Sequence, residues 1–417
     1  MTKKQTTELP ATQPLPATPI RQRRVLFISG FDPRGPRHYH ALLQAESAKA
    51  AAVTGSRYQF GARKNHSPLV STWTVSGETA GDAEPIRTET RFDFLRWDDV
   101  ARQLWPKAGW ACLALNIKVV WWFAATGYLR RVAEVRRWYV LTMLQPMLAM
   151  LSVLFGLVLA GVLLAATVIA WTDASWHWLW AGVALGCAGL TSALKQMEKY
   201  SSVLWRGQLN YVYQQQFLGK ADVLERRIDQ LAESIIAAAA DTDADELLII
   251  GHSVGTTVAI SSLARALRQQ PQAFAHLPQL SFATLGSMAP LLAVEPNCGW
   301  FQAEVEYLAL HPQLNWVDVG APLDRVCFSL VDPLLASGRQ RPPGVAVKPL
   351  LTSPRFHTLF DEADYALLKQ DLGRLHTQYL LATPKPGRYD FFAIIAGPLS
   401  LQARFQDKEP GNGHEKA

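Results

Sequence analysis

The sequence predicts an α/β fold, with a mostly parallel sheet whose chain is interrupted by a two-helix transmembrane insertion. Three observations predict it. Short apolar runs alternate with helix-period segments toward both ends of the chain, as in a parallel sheet covered by its crossover helices. The middle holds two long runs without Asp, Glu, Lys or Arg, and a run of about 20 apolar residues is what a bilayer crossing needs. Finally, 9 of the 14 Trp fall between Trp105 and Trp180, the clustering expected at a membrane–water interface.

Composition removes several classes. The 417 residues are 49% hydrophobic, with 41 Lys+Arg against 35 Asp+Glu, so a disordered chain is excluded. Cys112, Cys187, Cys298 and Cys327 lack a C-x-x-C or Cys/His spacing, which argues against a disulfide framework and structural zinc and favours a reducing compartment. The net charge of +6 does not imply nucleic acid, because the Arg and Lys lie beside apolar segments and form no basic stripe on a recognition helix.

Residues 1–23 read as a disordered Thr/Pro-rich tail without the apolar centre of a signal peptide. The first part of the soluble domain spans 24–108. In it, Arg24–Gly30 is a buried strand ending in a tight loop, and a helix follows near His38–Ala52. Leu69–Gly77 and Ile86–Phe94 alternate around a turn and predict a hairpin.

Residues 109–137 are expected to form an interfacial amphipathic or re-entrant helix, since Asn116 and Lys118 make a crossing costly; a crossing there would make a third span. A transmembrane hairpin is expected over 138–199, with spans at 147–171 and 176–194. Gly156 with Ala160, and Gly182 with Gly186, are spaced to let two helices approach closely, and the same helices offer a route to homo-oligomers. Arg130, Arg131, Arg136 and Arg137 precede the first span, Lys195 and Lys199 follow the second, and the connection holds only Asp173. By the positive-inside rule the soluble parts then face the cytoplasm, making a multi-pass membrane protein.

Residues 200–403 form the main part of the soluble domain, and 404–417 a polar tail. Leu224, Ile228, Leu231 and Ile235 set a helix over Ala221–Ala239. Strands are expected at Glu246–Ile250, Leu280–Leu285, Leu314–Val319 and Val345–Thr352, with helices at Thr256–Gln269, Gln302–Leu310 and Asp361–Leu372. No internal repeat is present.

The motif that carries chemistry is Gly251-His252-Ser253-Val254-Gly255, placed between an apolar strand and a helix. In that context Ser253 sits on a strained turn with its hydroxyl held above the sheet, and close strand–helix approach leaves room only for Gly251 and Gly255. A serine hydroxyl needs a base, and the base an acid to orient it, here in the chain order Ser, Asp, His. Asp318, Asp324 and Asp332 satisfy the order as acids; Asp324 is preferred because it lies in a loop after Gly320 and Pro322. His376 and His357 both satisfy it as bases, with His376 preferred for its His-x-x-Tyr context and His357 the alternate. His252 points away from its neighbour. The backbone N–H of Val254 and that of Phe31, in the loop after the first strand, are the expected oxyanion donors, although Gly30-Phe31-Asp32-Pro33 also reads as a plain turn.

These residues together resemble the α/β-hydrolase superfamily, in its serine lipase and esterase branch. The first strand leads into Gly30-Phe31, the elbow is Gly251–Gly255, and Asp324 and His376 follow. The similarity covers roughly 24–100 and 200–400; a transmembrane hairpin ahead of the elbow strand departs from the pattern. The resemblance implies a carboxylic-ester hydrolase working through an acyl-enzyme on Ser253, with no metal and no organic cofactor. Tethering to a bilayer points to a lipid or amphipathic ester as substrate. Two other functions use the same chain: acyl transfer to an acceptor other than water, and a non-catalytic membrane scaffold with an idle serine.

Overall fold

A computed structural model describes residues 18–81, 84–105, 108–201, 203–344 and 347–406. The expected tails therefore lie outside the described residues, apart from their inner ends. Those ends are folded: the first strand begins at Gln22, and Arg404 is buried in a last helix reaching Gln406.

In chain order the elements are β1 (Gln22–Ile28), α1 (Gly35–Thr54), β2 (Arg57–Phe60), β3 (Lys64–Asn65), β4 (Val70–Thr79), β5 (Ile86–Leu95), α2 (Asp98–Gln103), α3 (Trp110–Ala125), α4 (Tyr128–Thr172), α5 (Trp178–Ser201), α6 (Val203–Phe217) and α7 (Asp222–Ala240). There follow β6 (Glu246–His252), α8 (Gly255–Gln269), β7 (Leu280–Leu285), α9 (Ala289–Ala293), α10 (Gly299–Leu310), β8 (Leu314–Val319), α11 (Pro333–Ala336), β9 (Leu350–Thr352), α12 (Phe356–Leu359), α13 (Glu362–Gln370), α14 (Leu372–Thr377), α15 (Phe391–Ala396) and α16 (Leu401–Gln406).

The chain divides into two compact units. One holds the chain up to Asp99, Val223–Ala293 and the chain from Gly299; the other holds Val100–Asp222 and Val294–Cys298. The first unit is α/β, with a mostly parallel mixed sheet in the order β2-β4-β5-β1-β6-β7-β8-β9 and β3 beside β4. Strands β5, β1, β6, β7, β8 and β9 run parallel to their neighbours, whereas β4 pairs antiparallel with β5 as the expected hairpin. The short strands β2 and β3 were not legible as apolar runs, because β3 is exposed and β2 turns only Tyr58 and Phe60 toward the core.

Both faces of the central strands are buried, which is why these strands read as unbroken apolar runs. Val25, Phe27, Phe92, Leu248, Ile250, Val317 and Val319 pack with Tyr39 and Leu43 of α1 and with Phe391, Phe392 and Ile395 of α15. Leu26, Leu247, Ile249 and Phe282 alternate with them and are as fully buried. Arg265 of α8 bridges to Glu225 and Asp229 of α7 and to Glu304 of α10. At the strand entries Arg23 pairs with Glu246 at 2.7 Å with neither side chain exposed, and its remaining N–H groups reach the Gly397 and Leu399 carbonyls. A buried ion pair needs such complete satisfaction to persist.

The second unit is helical, and it differs from expectation in four respects. First, residues 109–137 are not one helix: α3 ends at Ala125, Gly127 turns with φ 71°, and α4 begins at Tyr128. With 16 residues α3 rises about 24 Å, short of the roughly 30 Å hydrocarbon core, so it is no third span. Arg136 then leaves helical geometry (φ −152°, ψ 89°) and kinks α4 ahead of its uncharged stretch. Second, among the described residues one helix, α4, is long and apolar enough to cross a membrane, where two spans were expected. The run in α5 is diluted by Gly182, Gly186, Gly189, Thr191 and Ser192 and meets Lys195 within 18 residues.

Third, α4 and α5 do meet through small residues, but not through Gly156 and Ala160. A Cβ on Gly161 would stand 2.1 Å from the Gly182 carbonyl oxygen, and one on Gly186 2.6 Å from that of Leu157, whereas Gly156 faces open space. Fourth, the unit extends to Asp222 rather than 199, because α6 packs on α3 and α4. Gly207 lies against the Asn116 amide, and Asn210 Nδ2 donates to the Met143 carbonyl at 2.8 Å. Its start likewise moves from 109 to Val100.

Candidate active site

Strand β6 and helix α8 meet at Ser253, whose backbone lies in the left-handed region at φ 56°. A β-carbon makes that conformation costly, and only the surrounding structure maintains it. The Ser253 N–H donates to the Leu285 carbonyl at 2.9 Å, and the Ser253 carbonyl accepts from Thr256 Oγ1 at 2.6 Å. The flanking glycines are required by close approach: a Cβ on Gly251 would meet Thr256 Cα at 2.9 Å, and one on Gly255 would meet the Ser29 carbonyl oxygen at 2.2 Å.

Helix α14 and the loop after β8 bring the other two groups to this serine. His376 Nε2 lies 2.7 Å from Ser253 Oγ, and His376 Nδ1 lies 2.7 Å from Asp324 Oδ2. All three residues are buried, Asp324 completely. Burial alone would raise the Asp324 carboxyl, but the facing His376 and the hydrogen bonds from His376, Cys327 and Val326 outweigh it and hold the group below its ordinary value. An ionised carboxylate only accepts, so Nδ1 carries the ring proton and Nε2 offers its lone pair to the serine hydroxyl. An imidazole so placed can take the hydroxyl proton, and the carboxylate stabilises the cation that results.

The other candidates stand elsewhere. Asp318 is buried within β8 and accepts from Thr284 Oγ1 at 2.6 Å; burial, opposed chiefly by that hydrogen bond, pushes it up to about 7. Asp332 caps α11 through the Leu334 N–H and pairs with Arg341. His357 is exposed on α12, its ring 6.4 Å from that of Tyr365. The His252 Nε2 reaches the His376 carbonyl at 3.1 Å, while the imidazole nitrogen on Ser253 Oγ is that of His376. Burial, then the nearby His376, lower its imidazole to about 3, so it stays neutral. His376 lies in the last turn of α14.

Val254 is the cap residue of α8, and the loop after β1 runs beside it. A Cβ on Gly30 would stand 3.1 Å from Ser253 Cβ and 3.5 Å from its Oγ. That loop is pinned: the Trp97 indole donates to the Ser29 carbonyl at 2.9 Å, the buried Phe31 ring packs tilted against Trp97 with centroids 5.9 Å apart, and Asp32 binds Arg34 and Tyr39. Phe31 is thus carried past the serine on a fixed backbone.

Two residues at the site were given no role from the sequence, although Tyr379 is the tyrosine of the His-x-x-Tyr context. The Cys327 thiol reaches Asp324 Oδ2 at 3.1 Å, and the Tyr379 hydroxyl reaches the same oxygen at 3.1 Å. Asp324, Cys327 and His376 also offer three potential metal-ligand atoms within 4.8 Å of one another, but protons already join the carboxylate to both neighbours. Two surface clefts of about 360 and 410 Å³, one beside Trp316 and Lys348 and the other beside Arg24 and Glu89, include none of the three aligned residues. No family model, curated protein or solved structure matches this chain.

Proposed function

We propose that this chain is a membrane-anchored serine hydrolase of the α/β-hydrolase type that cleaves carboxylic esters of lipids or other amphipaths. The observation that carries the reading is the chain of two 2.7 Å contacts from Ser253 through His376 to Asp324, built on a serine held at φ 56°. Such a conformation persists only where the surrounding structure over-determines it, and it is commonest where it serves chemistry. The order Ser, Asp, His along a parallel sheet adds support.

In this reading His376 takes the Ser253 proton as the oxygen attacks the acyl carbonyl. The N–H groups of Val254 and Phe31 stabilise the oxyanion, and the alcohol leaves with the proton returned by His376. Water repeats the sequence: it gives its proton to His376, attacks the acyl-enzyme, and the acid departs as Ser253 regains its proton. Each step uses groups of the chain itself.

Helix α4 supports the membrane part, with Phe155, Leu163 and Trp171 exposed along it. In this reading α5 returns beside it as a second span, and the Arg and Lys at its open end keep the soluble unit cytoplasmic. A hydrolase so tethered meets substrates that partition into the bilayer.

The test is labelling of the detergent-solubilised protein with a fluorophosphonate probe. Wild type and His357→Ala are expected to label, and Ser253→Ala and His376→Ala are not. A folded wild type that never labels would overturn the enzyme in favour of a membrane scaffold.

A further inference from the structure

We propose that Tyr379 is a positioning residue for the acid–base pair, its hydroxyl aiming the Asp324 carboxylate at His376 and drawing charge from the oxygen that faces the imidazole. This rests on the serine-hydrolase reading above. The hydroxyl donates to Asp324 Oδ2 at 3.1 Å and accepts from the Ala321 N–H at 2.8 Å, so one oxygen ties the exit of β8 to the acid. Tyr379 lies three residues after His376 on the same helical stretch, which ties the base to both.

The ring is fully buried and held from three sides. The Tyr379 carbonyl accepts from Tyr389 Oη at 2.6 Å, the Phe356 ring lies 5.7 Å away, and the loop after β7 presses on it. That loop turns at Gly286 with φ 59°; a Cβ there would stand 2.9 Å from Tyr379 Cε2 and 3.3 Å from His376 Cε1. One glycine therefore seats both rings.

Three donors converge on Asp324 Oδ2: His376 Nδ1, the Tyr379 hydroxyl and the Cys327 thiol, while Oδ1 accepts from the Val326 N–H at 2.9 Å. The titratable groups around the imidazole are Asp324 and Cys327 from the loop after β8, His252 from the end of β6, and Tyr379. Asp32, in the loop after β1, acts on His252. Burial pushes the Tyr379 and Cys327 protons well up and keeps His252 neutral, so both donors stay protonated through the neutral range. Removing the Tyr379 donor leaves more charge on Oδ2. A more charged oxygen favours the protonated imidazole, which cannot act as base until a higher pH.

The test is the rate of fluorophosphonate labelling from pH 5 to 9. Tyr379→Phe is expected to label several-fold more slowly than wild type at pH 7 and to approach it by pH 9, its acidic limb moved up by about 0.5–1 pH unit. Cys327→Ala, which removes the weaker donor from the same oxygen, moves the limb the same way by less, and Cys327→Ser restores it. If Tyr379→Phe fails to fold, the two Cys327 variants carry the test. An unmoved limb, or a rate lowered equally at every pH, overturns the positioning role while leaving the hydrolase intact. A wild type that does not label overturns the hydrolase, and this role with it.

Discussion

The α-carbon of Gly255 faces the Ser29 carbonyl oxygen so closely that a Cβ would stand 2.2 Å from it and 2.5 Å from the Ile28 carbonyl oxygen. The obstacle is backbone of β1, which cannot swing aside as a flexible side chain could. Gly255→Ala must therefore push α8 away from β1 and disturb both sides of Ser253 at once. A loss of about 1–3 kcal/mol in unfolding free energy is expected, together with loss of fluorophosphonate labelling. A stable variant that labels like wild type would show that the two segments part freely.

Strain at Ser253 makes an opposite prediction. At φ 56° a residue with a β-carbon costs about 1–2 kcal/mol that glycine does not. Ser253→Gly is expected to unfold at higher denaturant than Ser253→Ala by a margin of that order, both lacking the hydroxyl. Equal midpoints would mean that the left-handed turn holds no strain.

What could be read in advance follows from how local each signal is. Leu280–Leu285 and Leu314–Val319 coincide with β7 and β8, because a buried parallel strand announces itself by an apolar run between breakers. The elbow was legible for the same reason, its strand, glycines and helix being neighbours in sequence. The partner of Ser253 was preferred but not decided: His357 and His376 both follow Asp324, and only the return of α14 over β6 separates them. Cys327 carried no pattern, and the His-x-x-Tyr spacing marked Tyr379 without giving its role, since what a buried thiol or phenol touches is fixed by tertiary contacts alone. Helix α6 escaped because it buries Gln208, Asn210, Gln214 and Gln216 against other helices and so lacks an apolar stripe. Gly156 and Gly161 lie five residues apart on one helix, and packing alone selects which of them meets α5.

Asp318 makes stability depend on pH. Its carboxyl is pushed up to about 7 by burial, so the native protein binds this proton more tightly than the unfolded chain, where a carboxyl titrates near 4. The contribution is fully present below about pH 4 and is lost as pH rises through about 7. The loss amounts to a few kcal/mol at most. Asp318→Asn keeps an acceptor for Thr284 Oγ1 and removes the titration. Denaturant unfolding at pH 5 and pH 8 is expected to show a smaller decline for the variant than for wild type. A decline of the same size in both would place the titrating group elsewhere.

The contact between α4 and α5 separates glycines that look alike in sequence. At Gly182 a Cβ would stand 2.3 Å from the Gly161 carbonyl oxygen, backbone against backbone, while at Gly156 nothing lies within 4 Å. Gly182→Leu must therefore drive the helices apart and forfeit the packing that holds Leu190 and Met150 together, whereas Gly156→Leu adds an apolar side chain on an open face and improves helix propensity. In detergent, the thermal midpoint is expected to fall by several degrees for Gly182→Leu and to stay level or rise for Gly156→Leu. The reverse order would mean that the helices meet through Gly156 and Ala160 instead. A fall for both would point to a second helix seated on the Gly156 face, and a cross-link between two copies through a cysteine placed at Ala160 would then distinguish another chain from another segment of this one.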